Sequence, residues 1–290
     1  MNTFDISSAG LLAYVQVRCW SARKLDRKQT LKTVTDASAT ADAARVNKHL
    51  LAGADDALRA VNRKGNEIRE YIDSVTLPWD NAGYRLLDNA RSLEVVATVR
   101  GKVAEFYGLV DQFVDQYPVL RAQALANLGD MAANDDYPQP DVVRQKFHAE
   151  VTFSPIPTGY SPNRYGMAEA ITAVWNSNFS QQMKLVESRV LRAALDRLSE
   201  NLQRYSDRLT VGADGKRGRF TETMVTQLHD TIALIEGLGL HADDQTSVIL
   251  QQVKDDVAAF SADELRSSEV AADQAKDTAD DILRRMRAFL

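Results

Sequence analysis

Hydrophobic and polar positions alternate with a period of two along Leu11–Lys28, a spacing that stands apart from the rest of the first half of the chain. Ala13, Val15, Val17 and Cys19 fall on one side, and Tyr14, Gln16, Arg18 and Trp20 on the other. The first face is predicted to meet a core; the second combines two aromatic rings with a base. The same alternation returns at Phe147, Ala149, Val151 and Phe153 against His148, Glu150, Thr152 and Ser154, and stops at Pro155-Ile156-Pro157. Backbone groups buried without partners are costly, so two isolated strands in a helical chain are expected to pair with each other. Strands near 13–20 and 147–154 are therefore predicted to share a small sheet.

Elsewhere the period is helical. Leu51, Ala54, Leu58, Val61, Gly65, Ile68, Ile72 and Val75 step by three and four, which predicts a helix over about 38–75 with a coiled-coil seam. Pro78 and Gly83, with Asp80-Asn81 between them, predict a turn after it. Val96, Val99, Val103, Phe106, Val110, Phe113 and Tyr117 predict a helix over about 92–130, kinked or split at Pro118. Asn134–Pro140 reads as a loop. Further helices are predicted over about 167–209, with Leu191, Leu195, Leu198, Leu202, Tyr205 and Leu209 as its seam, then over about 220–237 and 244–259. Ser261 and Glu264 have the spacing of a capping box for a last helix, whose seam is Ser268, Ala272, Ala275, Ala279, Ile282, Met286 and Phe289. All seven prolines lie between 78 and 162, which leaves the flanks free for long helices. The predicted fold is mainly α: long antiparallel coiled-coil-like helices packed on a small β-sheet. A strand-containing domain over 1–165 and a helical domain over 166–290 are expected.

Composition changes this picture little. The 290 residues are 44% hydrophobic and 26% charged, ordinary for a globular protein long enough to bury a core. No apolar run approaches the ~18 residues that cross a bilayer, and the first residues lack the basic and apolar regions of a signal peptide. One cysteine, Cys19, excludes an internal disulfide and a Cys-based zinc site. A reducing, cytoplasmic location is expected. Charge is more telling. From Arg18 to Lys32 six bases face one acid, whereas from His241 onward eleven acids face six bases. Such asymmetry marks either a nucleic-acid contact at one end or simply two solvated faces.

Several short motifs recur in a fixed order: Trp20-Ser21-Ala22-Arg23-Lys24-Leu25-Asp26, Asn47-Lys48 with Leu50-Leu51, Leu77-Pro78-Trp79-Asp80, Tyr117-Pro118, Asp136-Tyr137-Pro138, and Phe153 with Pro155 and Pro157. Together they resemble an uncharacterised family found mainly in bacteriophages and prophages, a domain of unknown function. The likeness covers most of residues 11–165, with a looser match in the helical C-terminal half. The family carries an Asp-Phe-Arg triplet after its Pro-x-Pro, where this chain has Asn163-Arg164-Tyr165. The resemblance implies a phage protein acting in the host cytoplasm, with relatives encoded near a MoxR-type AAA+ ATPase or DNA-metabolism genes. It implies no activity.

No catalytic or cofactor set emerges from the residues. His49, His148, His229 and His241 lack the spacing of a helix-borne metal site. Gly215-Lys216 is followed by Arg217 rather than Ser or Thr, so the glycine-rich turn Gly212–Gly218 is not a Walker A loop. There is no G-x-S-x-G, and Cys19 shares the apolar side of its strand with Val15 and Val17. Among the acid pairs, Asp135-Asp136 stands out because it precedes Tyr137-Pro138 in a loop, although adjacent acids commonly serve turns and helix starts. The remaining constellation is a non-enzymatic one. Tyr14, Arg18 and Trp20, continued by Arg23, Lys24, Arg27 and Lys28, combine a basic track with rings on which bases stack, the arrangement of single-strand binders. Lys216, Arg217 and Arg219 add a second basic turn. A nucleic-acid-binding protein, with single-stranded DNA as partner, is the expected function. Its alternative is an oligomeric adaptor or assembly protein that docks on an AAA+ ATPase or another protein through the heptad seams. Large aromatics are more often buried than displayed, so Trp20 separates the two: exposed it supports the first, buried the second.

Overall fold

The computed structural model describes residues 10–157, 169–213, 217–240 and 244–289. Strand β1 (Gly10–Arg18) overlaps its predicted place near 13–20 but stops two residues before Trp20, and strand β6 (His148–Pro155) forms where the alternation predicts. Between them in sequence are four shorter strands that the pattern does not announce: β2 (Arg23–Leu25), β3 (Asn47–His49), β4 (Thr76–Pro78) and β5 (Tyr84–Asp88). One sheet has the order β4-β5-β1-β6, so β1 and β6 are hydrogen-bonded neighbours as expected; β2 and β3 make a second, two-stranded sheet. The predicted turn at Asp80-Asn81 is the tip of the β4–β5 hairpin. There Asp80 Oδ1 accepts hydrogen bonds from the Ala82 and Tyr84 amides, at 2.9 and 3.0 Å, and Gly83 takes φ +97°.

Packing divides the chain differently from the expected cut at 165/166. One unit comprises Met1–Tyr14, Asp73–Val95 and Thr152–Leu290; the other comprises Val15–Ile72 and Val96–Val151. The reason lies in the short strands: Leu77, Trp79 and Leu86 belong to the same hydrophobic core as the C-terminal helices.

In the first unit the core is helical. Helix α5 (Glu169–Leu209) supplies Leu195, Leu198, Leu202, Tyr205 and Leu209, all buried, so the predicted seam is real. Around it are α6 (Glu222–Gly237), α7 (Asp244–Asp256), α8 (Ala262–Ser267) and α9 (Glu269–Phe289). The small residues Ala272, Ala275 and Ala279 of α9 are fully buried, and Ile282 and Met286 continue the row. The Ser261–Glu264 capping box forms as read, but it opens α8 alone. Ser268 has an extended backbone and α9 starts afresh after it, so the predicted last helix is two helices. Arg197 donates to the carbonyls of Asp73, Ser74 and Thr76, where the chain passes from a helix into β4.

The second unit contains α1 (Arg27–Asp36), most of α2 (Asp56–Val75) and α3 (Ser92–Leu128), and the short α4 (Pro140–Arg144). One helix expectation is corrected here, and of the two outcomes expected at Pro118 the split is excluded. The helix expected from 38 starts only at Asp56, and residues 37–55 hold turns and β3 instead. At Gly53 the backbone takes φ +72°, which no helix can pass through, and a Cβ there would lie 2.7 Å from Asn127 Nδ2 while Asn127 donates to the Ala52 carbonyl. Leu51 and Ala54 are buried, but from a turn. Pro118 does not split α3, which runs on to Leu128. Phe113 and Tyr117, just before it, are buried and hold this part of the helix to the core. At Gly65, α2 approaches β1 so closely that a Cβ would sit 3.0 Å from Val17 Cγ1 and 3.2 Å from Cys19 Sγ.

Candidate nucleic-acid interface

The residues from Val15 to Lys32 decide the functional question. β1 ends at Arg18, and the chain then bends through Ala22, which is fully buried and takes φ +49°. A non-glycine residue in this left-handed region is uncommon. The strand stops two residues before Trp20, so the period-two alternation does not reach the ring, which is buried. Trp20 is 8% exposed, with ring centroids 5.8 Å from Tyr117 and 6.3 Å from Phe113. The expectation that Trp20 displays a stacking surface is thereby corrected: it anchors the core of its unit. Cys19 is half-buried between Val17 and Trp20, and burial pushes its thiol pKa up. Tyr14, in the middle of β1, is partly exposed and has its ring 5.0 Å from that of Tyr84. Of the two rings expected at the site, Trp20 is therefore withdrawn from the surface.

The basic half of the expected site is assembled. After the bend, β2 carries Arg23 and Lys24, and Asp26 caps α1 by accepting from the Gln29 amide at 3.0 Å. The first turn of α1 then presents Arg27 and Lys28, and Lys32 follows one turn on. Lys28 and Lys32 lie four residues apart, on the side of α1 away from its buried Val34. Arg18, Arg23, Lys24, Arg27, Lys28 and Lys32 are all exposed.

One of the six is neutralised from far along the chain. Lys24 pairs with Asp136 at 2.8 Å, and the buried Lys48 of β3 pairs with the same carboxylate, lies 3.8 Å from Asp26, and donates to the Met131 carbonyl at 2.9 Å. Burial raises the pKa of Asp136, but hydrogen bonds from Lys24 and Lys48 outweigh it and hold this carboxyl below its ordinary value. The Asp135-Asp136 pair thus anchors β2 and β3 through Asp136, while Asp135 is exposed. Arg18, Arg23, Arg27, Lys28 and Lys32 form no ion pair among the described residues.

The second basic turn fares differently. Lys216 lies outside the described residues. Arg217 is tied to Asp273 at 2.5 Å and so is partly compensated, whereas Arg219 is exposed. Both belong to the first unit. By sequence, that unit has 25 acids against 18 bases, while the second has 17 bases against 15 acids. Lys32, missing from the expected set, belongs with it; the i, i+4 spacing from Lys28 was its signal. Among the described residues no three His, Cys, Asp or Glu side chains gather as a metal site, and no helix is long and apolar enough to cross a membrane.

Compared with known proteins, the chain matches no family model, no curated protein and no solved structure.

Proposed function

We propose that this protein binds nucleic acid through the exposed basic segment from Arg18 to Lys32. The observation that carries this reading is the set of five exposed cations, Arg18, Arg23, Arg27, Lys28 and Lys32, that form no ion pair among the described residues, inside fifteen residues of a chain that is otherwise net acidic. Folded proteins usually intersperse charges of both signs, and a one-sign stripe is the electrostatic footprint of a polyanion partner. The setting we propose is the one the family resemblance implies, DNA metabolism of a phage in its host's cytoplasm. The test is a titration of labelled oligonucleotide with wild type and with Arg23/Arg27/Lys28/Lys32→Ala, which leaves the Lys24–Asp136 pair in place. The variant should keep its circular dichroism and lose most of its affinity. Equal binding by both proteins, or competition by polyglutamate as strong as by DNA, would overturn the reading.

A second reading has its own observation. The burial of Trp20 is the outcome expected of an adaptor rather than of a stacking site, and Ile171, Val174 and Leu185 on the first half of α5 are 50%, 58% and 67% exposed. An oligomeric adaptor, with an AAA+ ATPase or another protein as partner, would cover such side chains. Light scattering on wild type and on Val174→Glu/Leu185→Glu tests it: a monomer in both cases counts against self-association.

A further inference from the structure

Resting on the nucleic-acid reading, we infer that the basic segment recognises the sugar–phosphate backbone alone, takes single and double strands alike, and holds no base. Trp20 is the only aromatic residue between Val15 and Asp36, and its ring is inside the core against Phe113 and Tyr117. The fold therefore offers cations on this segment but no π-face. Single-strand binders need both, because stacking on aromatic rings is what rewards an unpaired base. A row of guanidinium and ammonium groups interacts with phosphate in either strand form, and the charge density of a duplex is the higher of the two.

The network below the face fits a rigid phosphate track. β2 is fastened to β3 by its register Arg23↔His49, Lys24↔Lys48 and Leu25↔Asn47, and Lys48 is locked on Asp136 and Asp26. α1 is fixed at its start by the Asp26 cap and farther along by Thr30, whose Oγ1 accepts from the Val46 amide at 3.0 Å. Cations on a frame held in this way keep their spacing without help from the ligand.

The experiment compares three ligands of one length on wild-type protein at low salt: a mixed-sequence single strand, the same strand with every base replaced by an abasic site, and the duplex. The abasic strand should bind within about twofold of the base-bearing strand, and the duplex at least as tightly as either. A stacking site would separate the first two by about fivefold or more per stacked base. A base-bearing strand that binds about tenfold tighter than the abasic one overturns the inference and leaves the nucleic-acid reading standing. If none of the three binds, that reading fails and the inference falls with it.

Discussion

The Lys48 ammonium and the Asp136 carboxylate pair with each other while their side chains are only 8% and 12% exposed. Lys24, bound to the same carboxylate, keeps a side chain 48% exposed. One acid therefore serves a structural cation and a surface cation at once, and the two are expected to differ sharply in energetic weight. Removing Lys48 leaves Asp136 with the water-screened Lys24 alone and takes the nearby cation from Asp26, so Lys48→Met should destabilise the protein by about 2 kcal/mol, below the full cost of stranding a buried charge. Lys24→Met should cost less than about 1 kcal/mol, because water already screens that pair. Urea unfolding of the two variants beside wild type checks both figures.

The same network sets a pH dependence. The folded-state pKa of Asp136 lies below its unfolded value, so its contribution is complete above the ordinary carboxylate range and is lost as pH falls below about 4. Asp280 behaves alike: burial raises its pKa, and Lys276 and Ser206 more than offset this. Wild type should lose stability more steeply below about pH 4 than Asp136→Asn, which has no proton to take up at that position. Denaturant midpoints measured down the acid limb give the comparison.

Two kinds of helical glycine should respond to alanine with opposite signs. At Gly237, the last residue of α6, a Cβ would fall 2.4 Å from Oδ2 of Asp88, itself only 2% exposed. Gly237→Ala should therefore destabilise by about 2 kcal/mol, through displacement of a buried carboxylate. Gly101 and Gly108 lie within α3 with nothing within 4 Å of an added Cβ. Their alanine variants should gain about 0.5–1 kcal/mol each from the lower entropy of the unfolded chain. Thermal unfolding reads out all three.

Ala22 is the hinge on which the basic segment turns. With φ +49° and no solvent exposure, it has neither the backbone freedom nor the space for a branched side chain. Ala22→Val should lose about 2–3 kcal/mol, and Ala22→Gly should remain within about 1 kcal/mol of wild type, since glycine accepts this conformation without strain. Melting temperatures of the pair test the point.

The sequence pattern was legible wherever periodicity was long. The α5 seam from Leu195 to Leu209, the alanine row of α9, the Ser261–Glu264 box and the pairing of β1 with β6 all follow from spacing alone. What escaped was local or very long-range. Trp20 shares a parity with Tyr14 and Arg18 on paper, but the strand ends at Arg18, and nothing in an alanine announces a positive φ. Leu51 and Ala54 have helical spacing yet are buried from a turn at Gly53. The basic cluster itself was visible, but which of its members is neutralised was not, because the acid that pairs with Lys24 is Asp136, more than a hundred residues away.

The central claim is that five cations with no ion pair among the described residues bind nucleic-acid phosphates, and the salt dependence of the association constant tests it most directly. With all five engaged, the logarithm of that constant should fall linearly with the logarithm of salt concentration, with a slope of about −3.5 on a single strand and about −4.5 on a duplex. Arg23/Arg27/Lys28/Lys32→Ala should bring the slope to about −1 or shallower. A slope near zero for wild type, or the same steep slope for wild type and variant, would contradict the account.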